Sequence, residues 1–592
     1  MAVRKGWILA VLVVFGLAGL GLVGLGLVFS EKRVKVQPAS TLVLDFSDSI
    51  LEDMPADAES RFFYRDTPTL WDHLRALDHA ADDPNIEAVL LRIDNVDLGW
   101  AKSEELRAKL EELQERGTKV VAYVEGGGDH EYMMASAADV IYMAPNTQIY
   151  LDGLASYEMF FKGTLDKLGV RADLEHIGEY KSAAEQFTQR EASDAAREAS
   201  IALLDATYAD LLAAIGESRG LDSAAVARII DAGPYTSKQA HAAGLIDSLI
   251  YPDQLEDLLP GGEGGSQLSV EEYLATLPPV EGSPNAPKIA IVHATGTIVG
   301  GESGTDPMWG RTVGSDSFLE ALEEARDEKG VRAIVVRIDS PGGEVYASHL
   351  MWRAIREAST DLPVVASFSD LAASGGYYMA MGADTVVSDR ATLTGSIGVI
   401  GGKFNLGGLY EKLGMNVEVH SRGENAQFQS SLRDFTPAER ERYRSEMFEE
   451  YQTFVGIVAQ NRGTSAERID EVARGRVWTG RMAKERGLVD IEGGLETSID
   501  VAKKMAGLAA DQGVRVEIFP RIKRTFVQEF VNKVVEDEDL GAAVRSRARS
   551  GALSAAPWLA GLLKPELELM GALLRLRGGG KLAVLPFRIE IR

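Results

Sequence analysis

The sequence predicts a tandemly duplicated α/β protein with a transmembrane helix at its N-terminal end. Three observations support this: an apolar run near the N-terminus, an internal repeat spaced by about 245 residues, and alternating β-branched and helical segments within each copy. With 592 residues, 45% of them hydrophobic, the chain is long enough to bury more than one core. The expected fold class is therefore α/β, with two similar domains in series.

The first element is the apolar run WILAVLVVFGLAGLGLVGLGLVF, residues 7–29, which contains no charged residue. Its length is close to the roughly 20 residues that cross a bilayer as a helix. A cleaved signal peptide is the alternative, but its apolar region would be shorter, about 7 to 15 residues. No Ala-x-Ala site follows Phe29 either. We therefore expect an uncleaved anchor within residues 1–30, and basic residues on both sides leave its orientation open.

The second feature is the internal repeat. ALDHAADDPNIEAVLLRID, residues 76–94, matches ALEEARDEKGVRAIVVRID, residues 321–339. Near the end of each copy, YTSKQAHAAGLID aligns with WTGRMAKERGLVD, and the spacing has shrunk by only two residues. Gly- and Pro-rich stretches separate the copies. They predict domains at 40–258 and 287–510, a linker at 259–286 and a C-terminal extension at 511–592.

Each copy has the layered pattern of βαβ units with buried parallel strands. In the second copy the pattern predicts strands in KIAIVHATGTI, VRAIVVRID, PVVASF and ADTVVSD, and helices in DSFLEALEEARDE and YASHLMWRAIREA. The extension has no counterpart in the first copy. Its apolar stretch LSAAPWLAGLL is too short to span a membrane, and its last residues, KLAVLPFRIEIR, are strand-like.

Composition excludes several classes of function. Lys and Arg total 62 against 89 Asp and Glu, a net charge of −27 that should repel nucleic acid. The absence of cysteine excludes thiol catalysis, iron-sulfur clusters and disulfides. Asp129, His130 and Glu131 have no HExxH or comparable spacing, so we expect neither a metal nor a cofactor.

Residues that differ between the copies point to a site. Ser374, in DLAASGGYYMA, aligns with Asp129, whereas Lys181, in GEYKSAAE, aligns with Ala426. The serine is therefore present only where the lysine is absent. The second copy alone also has SPGG at 340–343 and Ser396 in TGSIG. Asp94 and Asp339, which align with each other, are expected to maintain the shared fold.

This set of residues suits acyl transfer. A serine hydroxyl needs a base to take its proton, and a buried lysine serves as that base when its amine is neutral. Backbone amides of glycine residues approach a carbonyl oxygen closely enough to form an oxyanion hole. None of the eight histidines lies between His349 and His420, the stretch that contains Ser374. A Ser-His-Asp triad is therefore disfavoured unless one of these two folds back.

The motifs IDSPGG, ASGGYYMA, TLTGSIGV and GRVWTGRMAKERGLVD, with GEYKSAAE in the first copy, resemble the signal peptide peptidase A family of the long, two-half bacterial type. The resemblance covers about residues 40–510 and the anchor. It implies Clp protease/crotonase-like domains and a membrane-anchored serine endopeptidase with a Ser/Lys dyad that cleaves remnant signal peptides. It also implies a homotetramer in the cell inner membrane with a periplasmic catalytic part. By matching motif, the implied roles are nucleophile for Ser374, general base for Lys181, hydroxyl partner of the lysine for Ser396, and oxyanion donor for Gly343, supported by Gly342 and Gly375.

Two other classes of function stay open at this stage. One is a catalytically silent, membrane-anchored scaffold that binds apolar peptides, which the intact Ser374 disfavours. The other is a crotonase-like acyl-CoA enzyme, which the anchor and the Ser/Lys pair disfavour. The sequence also leaves open whether the Ser374 and Lys181 of one site belong to the same chain.

Overall fold

A computed structural model describes residues 35–47, 50–55, 64, 67–262, 265–277, 286–306, 310–521 and 581–584. The anchor expected within residues 1–30 lies outside these residues, and so does most of the extension. Among the residues described, one helix, Asp194–Arg219, is long and apolar enough to cross a membrane by length and composition alone. Because 44% of its most apolar window is buried inside the protein, this is weak evidence for a span.

The fold is built from short strands and longer helices. The strands are β1 (Ser40–Asp45), β2 (Ile86–Ile93), β3 (Lys119–Val124), β4 (Val140–Met143), β5 (Gln148–Ile149), β6 (Arg171–Ile177), β7 (Tyr235–Thr236), β8 (Ser248–Leu249), β9 (Gln267–Ser269), β10 (Lys288–Thr295), β11 (Thr297–Val299), β12 (Gly304–Asp306), β13 (Gly310–Gly314), β14 (Val331–Ser340), β15 (Gly342–Glu344), β16 (Val364–Ala373), β17 (Thr385–Ser388), β18 (Leu393–Gly395), β19 (Val399–Asn405), β20 (Val477–Thr479), β21 (Ile491–Glu492), β22 (Arg515–Phe519) and β23 (Lys581–Val584). The helices are α1 (Leu70–Asp82), α2 (Trp100–Glu115), α3 (Asp129–Ser136), α4 (Lys162–Leu168), α5 (Glu185–Thr188), α6 (Asp194–Arg219), α7 (Ser223–Asp231), α8 (Ser237–Ala242), α9 (Pro252–Leu258), α10 (Val270–Thr276), α11 (Ser315–Asp327), α12 (Val345–Ala358), α13 (Gly375–Ala380), α14 (Gly407–Lys412), α15 (Pro437–Arg462), α16 (Ala466–Val472), α17 (Gly480–Glu485) and α18 (Leu495–Met505).

The first half folds around a parallel sheet with the order β8-β4-β3-β2-β1-β9. Its central strand β2, IEAVLLRI, is apolar almost throughout because helices cover both faces of such a sheet. The segment 259–286, expected to be a linker, is partly structured: β9 pairs with β1 and completes the sheet, and α10 follows it. Its Gly and Pro residues indicated a connection but did not reveal the short strand between them.

The second half repeats this arrangement in a sheet ordered β20-β18-β16-β14-β10-β22, in which β17 also pairs with β16, and β21 pairs with β17. The strands and helices predicted for this copy are confirmed. The strand pairing repeats as well: Thr41 of β1 pairs with Ala88, and Ile289 of β10, 248 residues after Thr41, pairs with Ala333, 245 residues after Ala88. The sheet continues past residue 510, since β22 pairs with β10.

The two halves are joined by a shared core and by a third sheet. Buried residues from the first sheet, such as Leu42 and Leu91, belong to the same apolar cluster as Ile291, Val335 and Leu495 of the second half. The third sheet has the order β12-β13-β11-β15-β23-β19-β6. In it, β6 of the first half pairs antiparallel with β19 of the second half along seven residue pairs. This ladder leads directly to the predicted lysine.

Candidate active site

Ser374 stands at the junction between β16 and α13, fully buried, with φ 54° and ψ −112°. A positive φ is unusual for a residue with a side chain, and such strain persists only where neighbouring bonds hold the backbone. Here the Ser374 N–H donates to the carbonyl of Gly395 at 2.8 Å, and the Ser374 carbonyl accepts from the N–H of Tyr378 at 2.8 Å. The sharp turn therefore fixes the direction of the hydroxyl.

Lys181 lies in a turn between β6 and the 3₁₀ turn Ser182–Ala184. The second half holds this turn, because the N–H of Tyr180 donates to the carbonyl of Arg474 at 2.9 Å. Gly475 has φ 81°, and a Cβ there would lie 2.5 Å from the Lys181 Cβ. Glycine is thus required for the close approach of the two halves at the lysine.

The structure brings together the three predicted side chains Lys181, Ser374 and Ser396. Lys181 Nζ lies 2.8 Å from Ser374 Oγ and 2.9 Å from both the carbonyl oxygen and Oγ of Ser396. All three residues are fully buried. In this structure the three residues come together within one chain.

Burial lowers the pKa of Lys181 well below the ordinary value of 10.5, because an ammonium group loses its hydration there. A neutral amine has two N–H groups and one lone pair. The two oxygens of Ser396 can accept the two N–H groups, which leaves the lone pair directed at the Ser374 hydroxyl. The surroundings of Nζ therefore suit a proton acceptor.

The SPGG segment lies beside the serine. Gly342 has φ 97°, and its N–H donates to Ser340 Oγ at 3.2 Å. A Cβ at Gly343 would lie 1.9 Å from the carbonyl oxygen of Ile298, and one at Gly375 would lie 3.0 Å from the Gly343 nitrogen. The missing side chains thus allow the backbones of Gly343 and Gly375 to approach each other next to Ser374.

The position equivalent to Ser374 in the first half has a different role. The Asp129 carboxylate accepts from the N–H groups of Gly153, at 3.2 Å, and Asp152, at 3.4 Å. Burial raises the pKa of Asp129 to about 6. His130 instead contacts Ser103 Oγ at 2.7 Å. Within the described part of the chain, no group of three His, Cys, Asp or Glu residues is arranged to hold a metal ion.

Neither histidine that flanks the serine segment is hydrogen-bonded to Ser374 Oγ in the structure. His349 Nδ1 lies 2.8 Å from the Tyr378 hydroxyl. His420 Nε2 lies 3.5 Å from Glu418 Oε1 on the surface. Ser374 Oγ has the Lys181 amine as its partner instead.

Two features beside the site were missed by the sequence reasoning. The first is Lys102 of α2, whose Nζ lies 2.9 Å from both Asp339 Oδ2 and Asp370 Oδ2. Lys102 aligns with Ala347 in the second copy, so the comparison that identified Lys181 could also have found it.

The second missed feature is the position of β23 in the C-terminal extension. This strand pairs antiparallel with β15, where Ala583 is opposite Gly343, and antiparallel with β19, where Leu582 is opposite Ile400. It occupies a slot one strand wide between β15 and β19, which we call the strand slot. The final strand-like stretch was recognised, but no local pattern revealed its distant partners.

Comparison with known proteins identifies relatives of this chain. Peptidase family S49 matches it twice, over residues 112–259 and 356–509. Serine protease SPPA, chloroplastic, of Arabidopsis thaliana is 36% identical over 448 residues, which cover 74% of this chain and 65% of the relative. Protease 4 of Salmonella typhi is 30% identical over 457 residues, 74% of this chain and 72% of the relative. A putative signal peptide peptidase SppA of Enterococcus faecium is 32% identical over 242 residues, 40% of this chain and 68% of the relative.

These relatives place the chain among the serine-type peptidases with an α/β architecture. The chain belongs to Peptidase family S49, and the two matched segments, like the repeat itself, support a tandem duplication. The resemblance to signal peptide peptidase A is thereby confirmed.

Proposed function

We propose that this chain is a membrane-anchored serine endopeptidase in which Lys181 is the general base for Ser374. The observation that carries the proposal is the 2.8 Å contact between Lys181 Nζ and Ser374 Oγ at a fully buried position. Burial lowers the pKa of Lys181 well below its ordinary value, which favours the neutral amine that a general base requires. Ser396 orients the amine through two oxygens.

The reaction proceeds in two stages. In the first, the proton of Ser374 moves to Lys181 Nζ while Oγ bonds to the carbonyl carbon of the scissile peptide. The N–H groups of Gly343 and Gly375 stabilise the resulting oxyanion. Lys181 then donates its proton to the departing amine, which leaves an ester between the acyl group and Ser374.

The second stage hydrolyses that ester. Lys181, again neutral, takes a proton from a water molecule as the water oxygen attacks the ester carbonyl. The tetrahedral species collapses, the carboxylic acid leaves, and the lysine returns the proton to Ser374 Oγ. The same base and the same amides serve both stages, so no metal or cofactor is required.

The strand slot supports a peptide as the substrate. It receives an extended backbone antiparallel to both β15 and β19. The residue opposite Gly343 lies one strand spacing, about 4.8 Å, from β15, the strand that contains this glycine. Addition of a strand binds main chain irrespective of sequence, while side-chain pockets supply the preference. Signal-peptide-like apolar segments are the proposed substrates, as the name of the Enterococcus faecium relative suggests.

The test is covalent labelling of Ser374 by a fluorophosphonate, together with hydrolysis of an apolar peptide, as a function of pH. We expect labelling of the parent to rise with pH as Lys181 loses its proton, and to be lost in Ser374→Ala and Lys181→Met. Lys109→Met is the matched control, since Lys109 is another buried lysine, paired with Asp78 at 3.0 Å. A parent that never labels would indicate the silent scaffold, and full labelling of Lys181→Met would indicate another base.

Anchoring and assembly belong to the same proposal. Residues 7–29 have the length and composition of a membrane span. We propose a single-pass protein of the cell inner membrane with its catalytic part in the periplasm, and a homotetramer. Resistance to alkaline extraction, protease access from the periplasmic side and native mass spectrometry of the detergent-solubilised protein test these three points separately. A monomeric mass would contradict the tetramer alone.

A further inference from the structure

The ladder between β14 and β16 is interrupted just before the candidate active site. Ile338 pairs with Phe368, and the next pair is Ser340 with Ala372. Only Asp339 lies between these pairs on β14, whereas three residues, including Asp370, lie between them on β16. Strand β16 therefore bulges opposite Asp339, and between these two pairs no ladder hydrogen bond fixes the spacing of β14 and β16.

Lys102 of the first half bridges this interruption. Its Nζ contacts the Oδ2 atoms of Asp339 and Asp370 at 2.9 Å each. Asp370 Oδ1 also accepts from the backbone N–H groups of Ala101 and Lys102, at 3.0 and 3.1 Å. Asp370 is thereby tied to the start of α2 by side chain and by backbone.

The two aspartates lie at equal sequence separations from the reacting groups. Asp339 precedes Gly343 by four residues, and Asp370 precedes Ser374 by four residues. Beyond the interruption, Ser340 pairs with Ala372, so one strand pair lies between the two aspartates and these reacting groups. A change in the spacing of the two aspartates is therefore transmitted to the spacing of the oxyanion amides and the serine hydroxyl.

The bridge is buried and charged. The Lys102 side chain is 11% exposed, and its Nζ also lies 3.9 Å from Glu52 Oε2, which in turn is 2% exposed. Burial disfavours the ammonium, but Asp339, Asp370 and Glu52 hold the pKa of Lys102 well above its ordinary value. Glu52 Oε1 accepts from Arg337 Nε at 2.8 Å, so a second ion pair supports the first.

We propose that Lys102 is a positioning residue. It holds β14, which leads to Gly343, and β16, which leads to Ser374, at the separation that catalysis requires. This inference rests on the proposed function, since it concerns the same reaction. The two halves of the chain contribute different groups to the reaction. The first half supplies the base and the bridging lysine, while the second half supplies the nucleophile and the oxyanion amides.

The test compares Lys102→Met with Lys109→Met, a control on the same helix whose lysine pairs with Asp78 and Glu496 away from the site. We expect Lys102→Met to lower kcat about 10- to 100-fold, the size of effect that a displacement near 1 Å produces. KM should change by less than about twofold, because ground-state binding does not depend on the bridge. Lys102→Arg should recover part of kcat, since it restores the charge.

A triple variant separates positioning from folding. Lys102→Met leaves two buried aspartates without their partner, so Lys102→Met/Asp339→Asn/Asp370→Asn removes the three charges together and still lacks the bridge. We expect its kcat to stay low when active sites are counted by titration. Recovery of the parent kcat in the triple variant, or an unchanged kcat per folded molecule in Lys102→Met, would overturn the proposal.

Hydrogen exchange gives a readout that does not need activity. In Lys102→Met the amides of residues 338–344 and 369–376 should exchange faster than in the parent, whereas Lys109→Met should leave them unchanged. Unchanged exchange in Lys102→Met would contradict the bridge even in an inactive protein. Failure of the proposed function would be distinguishable from failure of the bridge, because the parent itself would then show neither labelling nor hydrolysis.

Discussion

Replacing Lys181 by methionine should abolish most of the activity and at the same time stabilise the fold. The amine occupies a fully buried position with contacts of 2.8 to 2.9 Å to three oxygens of Ser374 and Ser396. Methionine has similar length but neither takes a proton nor needs hydration. Loss of a general base lowers rates about 10²- to 10⁴-fold, which corresponds to about 3 to 5 kcal/mol of transition-state stabilisation.

The gain in stability follows from the pKa of Lys181, which burial holds well below 10.5. Below the folded-state pKa the lysine is protonated in both states, and the folded protein carries the whole penalty of a buried ammonium. As pH rises from that pKa towards 10.5, the unfolded chain holds the extra proton and the parent gains stability. Each unit by which the pKa is lowered corresponds to about 1.4 kcal/mol. Lys181→Met lacks this penalty at every pH.

The assay is differential scanning calorimetry of parent, Lys181→Met and Lys109→Met between pH 6 and 10, with peptide hydrolysis measured on the same samples. We expect Lys181→Met to melt above the parent at neutral pH, and the difference to shrink as pH rises. Lys109→Met should melt below the parent, because the ion pairs of the buried lysine with Asp78 and Glu496 are lost. A Lys181→Met protein that melts below the parent at neutral pH would refute the argument that the lysine is buried without a compensating charge.

Three further predictions concern the surroundings of the dyad. Ser396→Ala should lower kcat about 10- to 100-fold with little change in KM, because Lys181 loses one of its two orienting oxygens; an unchanged pH-rate profile and kcat would count against this role. Gly475→Ala should abolish labelling of Ser374, since its Cβ would lie 2.5 Å from the Lys181 Cβ at φ 81°; equal labelling would show that the turn adapts. Ala583→Pro removes an N–H from a strand that lies between two neighbours, so it should free the strand slot and lower the KM for peptides relative to the parent. Ala583→Ser keeps the N–H and serves as its control, and equal KM values in all three proteins would exclude competition by β23.

Much of the candidate site was predictable because the chain contains two similar copies, which can be aligned with each other. Ser374 and Lys181 stand out only when the two copies are aligned, since each is missing from the other copy. The alternation of apolar runs likewise predicted four strands of the second sheet, β10, β14, β16 and β17. The pairing of β1 with β2 recurs between β10 and β14, as the pairs Thr41 with Ala88 and Ile289 with Ala333 illustrate.

What escaped prediction depends on contacts between residues far apart in sequence. The pairing of β6 with β19 and the insertion of β23 between β15 and β19 are choices of strand partner, which local periodicity does not encode. The bridge formed by Lys102 requires knowledge of the interruption between β14 and β16. The strand β9 was hidden because three residues between Gly- and Pro-rich stretches give too short a pattern.

The pairing of β6 with β19 has a consequence for the newly made protein. Lys181 leaves the ribosome 193 residues before Ser374, and the strand that holds its turn, β19, is made later still. A nascent chain therefore contains no assembled pair of base and nucleophile until most of its length has been synthesised. The long interval between the two residues therefore delays formation of the pair until both halves of the chain have been made.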